Sequence, residues 1–215
     1  MTRKKGLALF DMDQTLVESD FAWAEAFSTY AGEMGFENPE EFYTQFFEKD
    51  FGYLIDRIIE RKPELDVSSI FVDVAALAEE NYKNKVMLKS GAIELVSTMK
   101  EEGYLTAILT ANNPKLSNVA KERFQDILGI DHWYSVQEMG VSKGDSYVYD
   151  LLSDMHGIDK DCFILFDDAT YAVETAYNAG IKVVKIYNPR DSKEKEGFPY
   201  PLLESLEDFD LSMLD

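Results

Sequence analysis

The sequence predicts a three-layer α/β fold, a parallel sheet between two layers of helices, with a helical domain inserted after the first strand. Three observations support this prediction. A short apolar run at residues 7–10 is too brief for a helix and suits a buried strand. From Ser90 onward, strand-like and helix-like segments alternate, which favours a parallel sheet. Between Val17 and about Leu88 the pattern is helical throughout.

The length of 215 residues allows one large domain, or a core with a modest insertion. The switch in periodicity divides the chain accordingly. We predict a discontinuous α/β core domain made of residues 1–16 and 89–215, and an inserted helical domain made of residues 17–88.

The first strand ends in two carboxylates and a hydroxyl, those of Asp11, Asp13 and Thr15. Such groups at the carboxyl end of a buried strand are costly unless they bind a cation or take part in chemistry. An acidic surface turn is the simpler interpretation, and the D-x-D pattern alone does not exclude it. The chain has other D-x-D pairs, at residues 159–161 and 208–210, but neither follows a comparable apolar strand.

The inserted domain is predicted to contain four helices. Aromatic residues repeat at helical spacing at Trp23, Phe27 and Tyr30, and again at Phe42 and Phe46. Two further helices are predicted over residues 53–61 and 67–82. These aromatic residues are interpreted as the core of a small helical bundle, with a substrate-facing role for one or two as the alternative.

The second half predicts the rest of the α/β core. Ser90 and Gly91 are expected to cap a helix that ends at Gly103, and Asn113 with Pro114 to begin the helix up to about residue 128. Further helices are predicted over residues 145–155 and 170–179. The strands are predicted at residues 104–110, 133–136, 162–166 and 181–186, and residues 201–215 as an acidic tail with one or two helical turns.

The composition restricts the function. Hydrophobic residues make up 46% of the chain, enough for a sizeable core, and the net charge is −20. Such a surface repels nucleic acid and anionic membranes, so we expect neither as a partner. A phosphorylated substrate would be repelled too unless a local cation reversed the field.

The cysteine content and the N-terminus suggest a location. The single cysteine, Cys162, suits a reducing compartment, and its apolar surroundings in the sequence predict a core residue. The basic N-terminus is followed by too few apolar residues for a signal peptide or membrane span. We therefore expect a cytoplasmic protein, as a monomer or weak dimer.

Three predicted strands end in polar residues, and parallel strands bring their carboxyl ends to one edge of the sheet. Carboxylates that converge there repel one another unless a hard cation is bound, and oxygen ligands favour Mg²⁺. A carboxylate can attack phosphorus to form an aspartyl-phosphate, while lysine and threonine stabilise the transferring group. The residues concerned are Asp11, Asp13, Thr110, Lys143, Asp167 and Asp168.

These residues, in this order, resemble the haloacid dehalogenase (HAD) superfamily over nearly the whole chain. Residues 10–16 contain D-x-D-x-T, which resembles the first motif of the family. Thr110 and Lys143 resemble the second and third motifs, and residues 166–176 the fourth. The helical insertion resembles the C1-type cap. The resemblance implies a Rossmann-like core with an α-helical cap, in the phosphatase and β-phosphoglucomutase-like branch.

The resemblance also implies an activity: Mg²⁺-dependent hydrolysis of a small phosphorylated metabolite through an aspartyl-phosphate. Asp11 would be the nucleophile and a metal ligand. Asp13 would protonate the leaving group and then activate water, with its backbone carbonyl on the metal. Relatives that cleave carbon–halogen bonds lack this second Asp, which disfavours dehalogenation.

The remaining site residues follow from the same resemblance. Thr110 and Lys143 would bind the phosphoryl group, with Ala111 and Asn112 as further substrate-binding residues. Asp168 would be a metal ligand. Asp167 stands where β-phosphoglucomutase-like enzymes have a second metal-binding acid.

The sequence departs from the family pattern in three places. Gln14 replaces the usual Gly beside the nucleophile, Gly144 stands where Pro is common, and Ala172 replaces the usual Gly or Asp. None of these changes removes a catalytic group. For Asn113 we expect helix capping rather than substrate contact.

Specificity is expected to come from the cap. Candidate substrate contacts there are Glu18, Ser19, Lys49, Arg57 and Arg61, although most surface Lys and Arg residues are simply solvated. The two histidines, His132 and His156, are interpreted as structural or surface residues.

Other functions stay open at this point. A phosphomutase of the β-phosphoglucomutase type would use the same nucleophile. A phospho-accepting receiver module also combines acids with Thr and Lys, but receivers are shorter and have no helical insertion. A sugar-transferring enzyme could use D-x-D to hold a nucleotide-bound metal, but it would leave Lys143, Asp167 and Asp168 unexplained.

Overall fold

The computed structural model describes residues 4–49, 51–191 and 197–214. The chain divides into two compact units. One consists of Met1–Val17 and Leu88–Asp215, and the other of Glu18–Met87. The first is called the α/β unit below and the second the helical unit.

The first part of the chain contains one buried strand, a very short second strand, four helices and another very short strand. In chain order they are β1 (Gly6–Phe10), β2 (Val17–Glu18), α1 (Asp20–Glu33), α2 (Glu40–Glu48), α3 (Phe51–Arg61), α4 (Val67–Asn84) and β3 (Met87–Leu88).

The rest of the chain alternates helix and strand. The elements are α5 (Ala92–Glu101), β4 (Tyr104–Thr110), α6 (Pro114–Leu128), β5 (His132–Ser135), α7 (Tyr147–His156), β6 (Phe163–Asp167), α8 (Thr170–Asn178), β7 (Lys182–Ile186) and β8 (Leu202–Leu203). Short 3₁₀ helices lie at Lys160–Cys162, Leu206–Asp208 and Leu211–Leu214.

The α/β unit is built on a six-stranded sheet in the order β5-β4-β1-β6-β7-β8, with every neighbouring pair parallel. All five residues of β1 are buried, as expected for a central strand covered on both faces. β1 lies between β4 and β6, so the polar residues that follow these three strands are brought to one edge. The predicted parallel α/β fold is confirmed.

The core of this unit is aliphatic and aromatic. Alternate residues of the central strands, such as Leu7, Leu9 and Leu165, pack with Val148 and Leu152 of α7 in one cluster. Burial of these side chains from water is the main stabilising contribution, at about 25 cal/mol per Å² of apolar area. The position of the polar edge is therefore fixed by the apolar strands behind it.

The helical unit has an aromatic core. Phe27 of α1 packs against Phe46 of α2 and Phe51 of α3, with ring centroids 6.1 and 5.5 Å apart. Phe42 is fully buried, whereas its neighbours Tyr43 and Phe47 are partly exposed. Among the described residues, no helix is both long and apolar enough to cross a membrane.

Several local predictions are corrected. The region from 17 to 88 was expected to contain no strand, yet β2 and β3 pair in a small second sheet. The tail contributes β8, a strand that was not predicted and that extends the main sheet, whereas its predicted helical turns are present as 3₁₀ turns. These strands have two residues each, too few to show a periodicity in the sequence.

Two predictions for single residues are also wrong. Cys162 is exposed in a 3₁₀ turn rather than buried in a strand. The Ser90 side chain does not cap α5, because its Oγ donates to Glu207 Oε1 at 2.7 Å, whereas Gly91 does occupy the predicted N-cap position. Asn113 does cap α6, since its Oδ1 accepts from the backbone N–H of Leu116 at 2.9 Å.

Candidate active site

Asp11 follows directly after β1 and begins the site. Its backbone N–H donates to Phe166 O at 2.8 Å, continuing the pairing of β1 with β6 by one residue. Its side chain is almost fully buried, with the residue only 6% exposed. The carboxylate is therefore held at the edge of the sheet by the strand pairing itself.

Lys143 connects the ends of two strands. It comes from the segment between β5 and α7, and its ammonium group donates to Asp11 Oδ1 and, at 2.8 Å, to Asp167 Oδ2. All three side chains are buried. A buried ion pair needs hydrogen bonds to offset its desolvation, and here one ammonium group serves two carboxylates.

Asp168 is tied to the loop after β1 through Thr15. The Asp168 backbone N–H donates to Thr15 Oγ1 at 3.0 Å, and the Thr15 hydroxyl lies 3.4 Å from Asp168 Oδ1. Thr15 is fully buried. Thr15 of the D-x-D-x-T segment thus holds Asp168, the first residue after β6.

Asp13 is bound by the segment after β4. Asn112 Nδ2 donates to Asp13 Oδ2 at 2.6 Å. The Thr110 hydroxyl oxygen accepts the Asn112 N–H at 3.1 Å, and Ser135 Oγ donates to Asn112 O at 2.6 Å. Asn112, predicted as a substrate-binding residue, is therefore a partner of the predicted acid. Ala111 beside it is exposed.

Burial dominates the electrostatics of the site. It raises the pKa of Asp11 to about 7, an effect opposed by Lys143 and reinforced by the nearby Asp168 and Asp13. Burial also raises the pKa values of Asp167 and Asp168, which repel each other. Burial disfavours the ammonium of Lys143, but Asp11 and Asp167 outweigh it and raise the pKa above the ordinary value.

The donor set fits a hard divalent cation. Asp11, Asp167 and Asp168 each offer a carboxylate oxygen, all three within 4.8 Å of one another. These oxygens are buried and carry like charge, so a cation among them would relieve their repulsion and their raised pKa values. Carboxylate oxygens of this kind suit hard divalent cations such as Mg²⁺.

The turn after Asp11 has an unusual backbone. Gln14 has a φ of 56°, in the left-handed region that favours glycine. Its backbone carbonyl accepts a hydrogen bond from Lys89 Nζ. Gln14, in the place of the family's usual Gly, therefore adopts a backbone conformation that glycine accommodates more easily.

The predicted substrate contacts of the helical unit have different surroundings. Arg57 contacts Gln45, with its guanidinium 4.5 Å from the centre of the Phe42 ring. Arg61 donates to the backbone carbonyl of Gly35 at 2.5 Å. Lys49 is exposed at the end of α2, with its ammonium 5.7 Å from the Tyr53 ring centre.

The first residues of the helical unit also differ from each other. Glu18 is exposed, whereas Ser19 is fully buried at the start of α1.

The two histidines lie together, away from the carboxylate cluster. Their ring centroids are 4.7 Å apart, and His156 Nε2 is 2.8 Å from the Tyr134 hydroxyl. Burial and the neighbouring His132 lower the pKa of His156. Among the described residues, the contacts of this pair are with each other and with Tyr134, not with Asp11, Asp167 or Asp168.

Sequence reasoning missed two residues that contact Asp168. Asn188 Nδ2 donates to Asp168 Oδ2, and Lys185 Nζ donates to the Asp168 backbone carbonyl, both at 2.5 Å. The one available signal was Lys185, which stands between the aliphatic residues Val184 and Ile186 near the end of β7. Asn188 lies in the loop after β7, outside any predicted strand or helix.

Comparisons with known proteins give the family. The family model of haloacid dehalogenase-like hydrolases matches residues 8–186. The chain therefore belongs to this family of hydrolases, which confirms the resemblance drawn from the four motifs. It is an enzyme.

Similar proteins include a phosphatase and several solved structures with the same fold. Hexitol phosphatase A of Escherichia coli (strain K12) is 25% identical over 190 residues, covering 88% of this chain and 86% of its own. The structure of CbbY from Rhodobacter sphaeroides with phosphate has a TM-score of 0.74 at 18% identity, covering 97% of this chain and 98% of its own. A Thermotoga maritima protein provisionally assigned as a β-phosphoglucomutase has a TM-score of 0.66 at 17% identity, covering 85% and 86%.

Proposed function

We propose that this hydrolase is a Mg²⁺-dependent phosphatase that acts on a small phosphorylated metabolite through an aspartyl-phosphate at Asp11. The observation that carries the proposal is the meeting of three buried carboxylates with Lys143, which contacts Asp11 and Asp167. A buried cluster of this composition suits a cation and a transferring phosphoryl group. The phosphatase among the similar proteins supports the same substrate class.

In the proposed reaction, a carboxylate oxygen of Asp11 attacks phosphorus and the ester P–O bond breaks. Asp13 gives its proton to the leaving alkoxide. Asp13 then takes a proton from water, whose oxygen attacks phosphorus, so that inorganic phosphate leaves and the Asp11 carboxylate is restored.

The other site residues hold the substrate and the metal. Lys143 and the Thr110 hydroxyl would bind the phosphoryl oxygens, and the exposed residue Ala111 would be a further contact. Asp11, Asp167, Asp168 and the backbone carbonyl of Asp13 would hold Mg²⁺. When bound, the ion would stabilise negative charge on the transferring group.

The helical unit would act as the cap that determines specificity. Arg57 and Arg61 are engaged in contacts within that unit, so we favour Lys49 among its predicted basic contacts. We retain Glu18 and Ser19 as candidate contacts at its start.

The first test is hydrolysis of p-nitrophenyl phosphate with Mg²⁺, followed by addition of a chelator. We expect turnover that stops on chelation and is lost in Asp11→Asn. The matched control is Asp126→Asn, which changes an exposed aspartate of α6 and should leave turnover unchanged. Full activity in Asp11→Asn would exclude Asp11 as the nucleophile.

A phosphomutase is the second candidate, favoured by the buried acid at Asp167 and by the Thermotoga maritima structure. It would return the phosphoryl group from Asp11 to a sugar hydroxyl rather than to water. Incubation with sugar phosphates separates the two, since release of phosphate indicates a phosphatase and isomerisation without release a phosphomutase. A screen of phosphorylated metabolites by released phosphate would then identify the substrate.

A further inference from the structure

A second set of side chains, from β7 and the loop after it, surrounds Asp168. Asn188 donates to one of its carboxylate oxygens and Lys185 to its backbone carbonyl, each at 2.5 Å. Lys185 is fully buried and also donates to Ile186 O at 3.1 Å. Both ends of Asp168, side chain and main chain, are thus held by donors from one segment.

The loop that carries Asn188 is itself tied to the start of α8. Asn188 Oδ1 accepts from the Arg190 N–H at 2.9 Å, and the Asp191 N–H donates to Asn188 O at 2.9 Å. Asp191 Oδ2 accepts from the Thr170 N–H at 3.1 Å and from its hydroxyl at 2.5 Å. Hydrogen bonds within its own loop therefore orient Asn188 toward Asp168.

Lys185 has a charge where packing alone would favour an aliphatic residue. β6 and β7 are paired so that Lys185 lies beside Asp167. A buried ammonium is costly without partners, and this one has two carbonyls and, at 3.7 Å, the Asp191 carboxylate. It adds a fixed positive charge next to the acidic cluster, in addition to Lys143.

We propose that Asn188 and Lys185 are positioning residues for the metal site, holding the Asp168 carboxylate in one orientation for a divalent ion. This inference rests on the proposed function, because it assigns both residues to the same site. Partners of this kind typically change metal affinity by 10- to 100-fold when they are removed.

The test is the Mg²⁺ dissociation constant of the full chain, measured by titration calorimetry. We expect Asn188→Ala to weaken Mg²⁺ binding by about tenfold. The control is Asn178→Ala, which removes an exposed asparagine at the end of α8 and should bind Mg²⁺ as the wild type does.

Two further measurements separate positioning from general damage. For Asn188→Ala, the Mg²⁺ concentration that gives half-maximal p-nitrophenyl phosphate hydrolysis should rise about tenfold, while saturating Mg²⁺ restores most of the rate. Lys185→Met should also bind Mg²⁺ more weakly than Lys182→Met, a change of the exposed lysine on the same strand. Lys185→Met removes a buried cation and can unfold the domain. The Mg²⁺ affinity of Asn188→Ala is therefore the result that decides whether the positioning role holds.

The outcomes are distinguishable. Equal Mg²⁺ affinity in the wild type and Asn188→Ala would overturn the positioning role and leave the proposed phosphatase intact. A wild type that hydrolyses p-nitrophenyl phosphate but binds no Mg²⁺ would overturn both the positioning role and the proposed metal dependence.

Discussion

Among single residues, Asn112 shows how the structure refines a role suggested by the sequence. Its side chain donates to Asp13 at 2.6 Å, while its own backbone is held by Thr110 and Ser135. An amide fixed in this way orients the carboxylate that would donate and accept the catalytic proton. In the proposed mechanism, Asn112 would therefore affect proton transfer as well as any direct contact with substrate.

We expect Asn112→Ala to lower kcat for an alkyl phosphate about tenfold more than kcat for p-nitrophenyl phosphate. The alkoxide needs the proton of Asp13, whereas p-nitrophenolate leaves without one. Steady-state kinetics on both substrates measure the difference, with Asn178→Ala as the control. A rise in KM with unchanged kcat on both substrates would mean that Asn112 only binds substrate.

How far the sequence predicts a site residue depends on where its partners lie. Asp11, Asp13 and Lys143 follow recognisable strands or motifs, and the structure places Lys143 against Asp11. Lys185 and Asn188 belong to no such pattern. Their importance comes from contacts with Asp168, which depend on how β7 and its loop fold, and these are features of tertiary structure.

At the scale of elements, the turn after β1 contains a strained backbone conformation that several hydrogen bonds stabilise. The N–H groups of Leu16 and Val17 both donate to Met12 O, and Gln14 adopts a φ of 56° between them. A left-handed conformation costs a residue with a Cβ atom roughly 1–2 kcal/mol. The turn keeps this conformation through its hydrogen bonds, including the one from Lys89 to Gln14 O.

Gln14→Gly should raise the free energy of unfolding by up to about 1 kcal/mol, because relief of the strain exceeds the added entropy of the unfolded chain. Gln14→Val should lower it by about 1–2 kcal/mol, since a β-branched side chain tolerates this conformation poorly. Denaturant unfolding of the two variants provides the comparison. Equal stability of the Gly and Val variants would show that the turn is not strained.

The longer helices and strands could be predicted from the sequence, and the two-residue strands could not. The helix over residues 114–128 follows from Asn113, Pro114 and its apolar repeat, and the structure has α6 at Pro114–Leu128. β8 has only two residues, and it exists because Leu202 and Leu203 pair with Lys185 and Ile186 of β7. A distant partner of this kind leaves no periodic signal in the segment itself.

For the molecule as a whole, both the excess of acidic residues and the acidic site require local positive charge before an anionic substrate can bind. The chain carries a net charge of −20, and the site adds buried carboxylates whose charges repel. A phosphorylated substrate can enter only if local cations outweigh this field. Lys143 supplies part of that charge, and the proposed Mg²⁺ would supply the rest.

The pH dependence of metal binding follows from the raised pKa of Asp11, about 7 against the ordinary 3.8. Without metal and at a pH between 3.8 and about 7, the Asp11 carboxyl keeps its proton in the folded protein and loses it in the unfolded chain. The stability from this group is present below the ordinary pKa and is lost as the pH rises through about 7. Mg²⁺ must displace the proton, so it binds more tightly at higher pH.

We therefore expect a fixed concentration of Mg²⁺ to raise Tm more at about pH 8 than at about pH 5.5. Thermal unfolding with and without Mg²⁺ at the two pH values measures this difference. In Asp11→Asn the difference should be smaller, because one titrating ligand is gone. Equal increases in the wild type at both values would contradict protonated carboxylates in the metal-free site.

The proposed reaction transfers a phosphoryl group to Asp11, and the variant Asp13→Asn tests this transfer most directly. With p-nitrophenyl phosphate this variant should form the aspartyl-phosphate but hydrolyse it slowly. We predict a burst of about one p-nitrophenolate per protein, with the phosphoryl group mapped to Asp11 after acid quench. Release of inorganic phosphate with no phosphorylated Asp11, or a phosphoryl group on another residue, would contradict the account.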